Sequence, residues 1–134
     1  MDKIEHIGIA VKDLAVSNAL FEKLLGVPSY KTEEVASEGV RTSFFKSGPN
    51  KIELLEAIND ESPIANFLDK KGEGVHHIAF AVGDLEKEIE RLKQEGFKIL
   101  PGFPKNGADN KIVAFLHPKE TNSVLVELCQ EASS

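Results

Sequence analysis

Two histidines and two glutamates recur in this chain within matched surroundings. His6 opens "HIGIAVKDL", and His77, 71 positions later, opens "HIAFAVGDL". Glu53 lies in "KIELLE" at 51–56 and Glu127 in "LVELCQ" at 125–130, 74 positions apart. Imidazole nitrogens and carboxylate oxygens are the donors that hold divalent metals such as Mn²⁺, Co²⁺, Ni²⁺, Mg²⁺ or Zn²⁺. Two of each make a mostly hard set with a summed charge of −2, lacking the thiolates of a structural zinc site. Four protein ligands on an octahedral ion leave two positions open for water or for two oxygens of a substrate. The chemistry expected is Lewis-acid activation of an oxygen chelate by one divalent ion per chain.

Strand periodicity puts the four residues in phase. Side chains alternate between the two faces of a strand. Ile7, Ile9 and Val11 fall on one face of the first strand, and His6, Gly8 and Ala10 on the other. In the matching strand, Ile78, Phe80 and Val82 oppose His77, Ala79 and Ala81. The large residues face a helix and the histidines face an open side lined by small residues. Glu53 and Glu127 interrupt the apolar runs "IELL" and "VLVELC", where an unpartnered carboxylate is costly. Any one of these positions alone reads as an ordinary strand residue; four at repeat-equivalent places read as a metal site. His76 points away from the His77 face and reads as structural or rim. His117, just before Pro118, reads as a turn residue.

The elements that carry these residues form an internal repeat. "AVSNALFEKLLGV" and "EKEIERLKQEGFK" follow the two His strands and read as amphipathic helices ending at Gly26 and Gly96. Leu20, Leu24 and Leu25 are expected to share the buried face of the first, and Leu85, Ile89 and Leu92 that of the second. Each copy reads as strand, helix, then three strands. The expected fold is α+β: two tandem βαβββ modules forming a curved mixed sheet around a metal-binding cleft. The whole of 1–134 reads as one domain, with module one at 1–57, a linker helix within 58–73 and module two at 74–131. Ser62 followed by Pro63 marks the linker helix start. The polar loop 104–111, "PKNGADNK", reads either as a lid over substrate or as a hairpin turn. The tail "QEASS" is expected to fray.

Bulk properties narrow the function classes. The net charge is −6, from 22 acidic and 16 basic residues. With no basic stripe, nucleic acid is not the expected partner. No apolar run reaches the roughly 20 residues of a membrane span. The start "MDKIEHIGIAV" lacks the long apolar stretch of a signal peptide. The single cysteine, Cys129, has no intrachain disulfide partner. A cytoplasmic location is expected.

The paired modules with His and Glu at these places resemble the vicinal oxygen chelate superfamily, which includes glyoxalase I, bleomycin-resistance proteins and extradiol dioxygenases. Within it, "IEHIGIAVKDL", "NKIELLEA", "SPIANFL", "GEGVHHIAFAV" and "KIVAFLHPKETNSVLVELCQ" resemble the methylmalonyl-CoA epimerases. The resemblance implies metal ligands at His6, Glu53, His77 and Glu127, with Glu127 also transferring a proton. It implies an acyl-CoA thioester substrate, a homodimer, and epimerisation by 1,1-proton transfer through an enolate stabilised by the metal. Some relatives carry a second acid/base glutamate where this chain has Thr42, which cannot act as a base near neutral pH. Glu38 is nearby, and Lys51 or Lys111 are candidates for the coenzyme A phosphates.

The alternative is a glyoxalase I-type isomerase, whose glutathione carboxylates would need the chain's only arginines, Arg41 and Arg91. A non-catalytic binding protein of the same fold is a further alternative. It would want an aromatic-lined cleft, and the chain has 8 Phe, 1 Tyr and no Trp.

Overall fold

The computed structural model describes residues 1–132. The chain groups into two compact units, His6–His76 and a second made of Met1–Glu5 with the residues from His77 on. Both are α+β, and the strand–helix–three-strand order appears twice, as the sequence predicts.

The first module contains β1 (Lys3–Ala10), α1 (Leu14–Leu25), β2 (Lys31–Val35), β3 (Val40–Ser47) and β4 (Asn50–Ala57), followed by α2 (Pro63–Lys71). Its strands lie in the order β2-β3-β4-β1, with β1 parallel to β4 and the other neighbours antiparallel. Asp13 caps α1 by accepting from the Val16 N–H, and Gly26 ends it in the left-handed region at φ 76°. Leu14, Phe21 and Leu25 pack on Ile9, Val11, Phe45, Ile52 and Leu54. On the other face, Ala10, Val40 and Leu55 pack with Ile64, Phe67 and Leu68 of α2. The Ser62 hydroxyl accepts from the Ile64 and Ala65 N–H groups, both at 3.1 Å, and Pro63 opens the helix as predicted.

The α1 face expected from the leucines is corrected. Leu25 packs inward, but Leu20 and Leu24 are 61% and 69% exposed. Leu20 and Leu24 each precede an inward residue, Phe21 and Leu25, by one position, which is about 100° around a helix. Burying the Phe21 ring rotates α1 so that they turn out.

The second module contains β5 (Gly74–Ala81), α3 (Leu85–Gln94), β6 (Lys105–Asn106), β7 (Lys111–Leu116) and β8 (Leu125–Glu131). The order is β5-β8-β7-β6, with β5 parallel to β8 and the rest antiparallel. Leu85, Ile89 and Leu92 of α3 pack on Val82, Ala114, Leu116 and Leu128, the face read from the sequence. The 104–111 segment is a hairpin turn. Asp109 and Asn110 take positive φ, and the Gly107 N–H donates to the Lys111 carbonyl at 2.9 Å. The tail is more ordered than expected: Gln130 and Glu131 pair with Ile112 and Lys111. The last two residues of "QEASS" lie outside the described residues. No helix among the described residues is long and apolar enough to cross a membrane.

Candidate metal and active site

Strand register places a His and a Glu together in each module. In β1 and β4, Gly8 stands beside Glu53, and His6 is two residues before Gly8 on the same face. His6 Nδ1 lies 3.1 Å from Glu53 Oε2. In β5 and β8, Ala79 stands beside Glu127, with His77 two residues before it. His77 Nε2 lies 3.2 Å from Glu127 Oε1. All four residues are buried, at 4–6% exposure.

Each pair has an aromatic wall that the sequence reading missed. Phe44 of β3 stands opposite Glu53, and Phe115 of β7 stands opposite Glu127. The His77 ring meets the edge of Phe115 at 6.0 Å and 82°. The repeat itself held the signal, because Phe44 and Phe115 are 71 positions apart, like the two histidines.

The donor chemistry fits a divalent metal. Two donors at right angles, each about 2.1 Å from an ion, lie about 3.0 Å from one another. Both pairs bring a nitrogen and an oxygen to nearly that separation in a buried setting. Burial strengthens the attraction between a cation and such donors, because little water competes.

The remaining candidates sit elsewhere. His76 is half-buried and meets the Phe67 ring edge-on at 5.0 Å. His117 caps a short 3-10 turn at Pro118–Glu120, its Nδ1 accepting from the Lys119 N–H at 3.1 Å. Glu38 falls in a 3-10 turn before β3 and so has no strand phase. Lys111 is 6% exposed, with its ammonium 2.6 Å from Glu131, which removes it as an open phosphate contact. Arg41 donates to Glu34 at 2.6 Å and to Glu56 at 2.9 Å. The Glu34 hydrogen bond, with its charge, holds the guanidinium above its ordinary pKa. Arg91 pairs with Glu88 on its own helix. Thr42 lies on the His6–Glu53 face, opposite Leu55.

Beyond Glu127, the same face of β8 continues through Cys129 and Glu131, opposite Val113 and Lys111. These ends line a cavity of about 490 Å³ together with Lys3, Glu5 and Ala81.

Comparison with known proteins shows the family. The model of the glyoxalase/bleomycin resistance protein/dioxygenase superfamily matches residues 5–115. The ethylmalonyl-CoA/methylmalonyl-CoA epimerase of Cereibacter sphaeroides is 41% identical, covering 96% of this chain and 97% of that protein. The uncharacterized protein YqjC of Bacillus subtilis is 40% identical, covering 97% and 93%. A variant of Streptomyces coelicolor methylmalonyl-CoA epimerase, solved in complex with 2-nitronate-propionyl-CoA, superposes with a TM-score of 0.94 at 33% identity, covering 99% of both chains. The chain belongs to the glyoxalase/bleomycin resistance protein/dioxygenase superfamily, and over nearly its whole length it is similar to methylmalonyl-CoA epimerases.

Proposed function

We propose that this protein is a metal-dependent epimerase of methylmalonyl-CoA in which His6, Glu53, His77 and Glu127 together hold one divalent cation. The observation that carries the reading is the duplicated, buried His–Glu pair, with its donors at 3.1 and 3.2 Å. Likeness to proteins named as epimerases of this thioester supports the substrate class. A bound Co²⁺, Mn²⁺, Ni²⁺, Mg²⁺ or Zn²⁺ supplies positive charge that stabilises an enolate.

Glu127 is the proton-transfer group. The α-carbon lies between a carboxylate and a thioester, so its C–H bond breaks with the electron pair passing into the enolate. The Glu127 carboxylate takes the proton on one face and becomes the acid. A proton delivered from solvent to the opposite face of the planar carbon forms the new C–H bond and inverts the centre, and Glu127 gives its own proton back to solvent as the cycle closes. Burial of Glu127 keeps water from competing for that proton. The glyoxalase alternative loses support because both arginines are already engaged by glutamates.

The test incubates metal-loaded protein with methylmalonyl-CoA in D₂O and follows the α-proton by NMR. Methylglyoxal with glutathione is run in parallel. Exchange of the α-proton is expected; turnover in the second assay alone would sink the epimerase reading.

A further inference from the structure

We infer that the Thr42 hydroxyl is a substrate-binding group, donating a hydrogen bond to an oxygen of a ligand held against the His6–Glu53 face. The inference rests on the functional reading above. Thr42 is 1% exposed, and its Oγ1 has no hydrogen-bond partner among the described residues. A buried hydroxyl left without a partner destabilises the fold, and native chains rarely keep one without a use.

The register says where that partner arrives. Thr42 stands opposite Leu55, which stands beside Ala10. The adjacent row is Phe44, Glu53 and Gly8. Diagonal neighbours in a sheet lie about 7–8 Å apart, so a small ligand bearing two or more oxygens and engaged near Glu53 spans the distance to Thr42.

The other module supplies the internal control. Residues 71 positions after Ala10 and Thr42, and 74 after Leu55, are Ala81, Val113 and Cys129. They form the same row in β5, β8 and β7. Val113 is 5% exposed and packs with Ala79 and Cys129. Valine and threonine have nearly the same shape, so packing at this place in the fold has no need of a hydroxyl. What the first module has added is one polar group with no hydrogen-bond partner among the described residues, on the face that carries His6 and Glu53. Threonine is not a base near neutral pH, so its part is to hold an oxygen of the ligand.

The test uses the cobalt-loaded full chain with Thr42→Val, which writes the second module's residue into the first, and Thr42→Ser. Calorimetric titration with malonate reads binding without turnover. Thr42→Val is expected to bind malonate about 10- to 100-fold more weakly, with unchanged metal content and a Tm at or above that of the parent. Thr42→Ser is expected to keep most of the affinity. Equal malonate affinity in Thr42→Val and the parent overturns the inference, as does a parent that does not bind malonate. A Tm for Thr42→Val lower by about 5 °C also overturns it, because the hydroxyl would then serve the fold. If the parent binds malonate through Thr42 yet exchanges no α-proton of methylmalonyl-CoA, the epimerase reading fails and the role of Thr42 stands.

Discussion

The backbone N–H of Leu14 donates to the Glu56 carboxylate at 2.7 Å, tying the first turn of α1 to the end of β4. The second module repeats the tie, with the Leu85 N–H donating to the Gln130 side chain at 2.6 Å. First-turn N–H groups have no partner within their own helix, so a strand side chain that reaches them both satisfies a donor and sets the helix against the sheet. Each tie lies three residues after a candidate ligand, Glu53 before Glu56 and Glu127 before Gln130. An offset of three on a strand changes face. The ligand therefore points to the site while the tying residue points to the helix.

Glu56→Ala and Gln130→Ala should each destabilise the protein by about 1–2 kcal/mol, as loss of a helix cap does. Gln130→Glu should cost less, because it keeps an acceptor for the Leu85 N–H. Urea unfolding checks this, and alanine variants as stable as the parent would show that the ties are incidental.

Metal content should separate the histidines. His6→Ala, Glu53→Ala, His77→Ala and Glu127→Ala should each weaken metal binding at least tenfold. His76→Ala and His117→Ala should leave it unchanged, since their rings serve a packing contact and a turn. Elemental analysis after dialysis reads the outcome, and equal content across all six variants refutes the site.

Metal should also stabilise the fold. A ligand at 100 times its dissociation constant adds about 2.7 kcal/mol to a protein that binds it only when folded. Treatment with a chelator should lower Tm, and adding back Co²⁺ or Mn²⁺ should restore it. A Tm indifferent to both treatments would count against a bound ion.

Glu127→Gln keeps size and hydrogen-bonding capacity but cannot accept the α-proton. It should lower the rate of α-proton exchange by at least about 100-fold while the protein remains folded. Far-ultraviolet circular dichroism controls for folding, and retained exchange would move the base elsewhere.

The two faces of α1 should respond differently. Leu20→Lys and Leu24→Lys, on the exposed face, should change unfolding free energy by no more than about 0.5 kcal/mol. Phe21→Ala should cost about 2 kcal/mol or more through lost packing against Phe45, whose ring lies 6.4 Å away. Denaturant titration distinguishes them.

Much of this protein was legible as sequence because the information is local and written twice. Two-residue alternation put His6, Glu53, His77 and Glu127 in phase, and offsets of 71 residues for the histidines and 74 for the glutamates matched their strands. The Ser62–Pro63 start and Gly26 stop needed only the chemistry of helix ends. Pairings between distant strands and competing apolar stripes were not local, and the tertiary structure decided them. The leucine spacing of α1 admitted two rotations about 100° apart, and burial of Phe21 chose one. Glu38 fell into a 3-10 turn before β3, so nothing in its neighbours revealed its face. Lys111 stands opposite Glu131 in the ladder and is buried, which its own stretch of sequence does not reveal. The isolation of the Thr42 hydroxyl is likewise a property of every strand and helix around it. A single stretch of chain encodes which residues alternate, but which hydroxyl is left without a partner is settled only when all the partners have been placed.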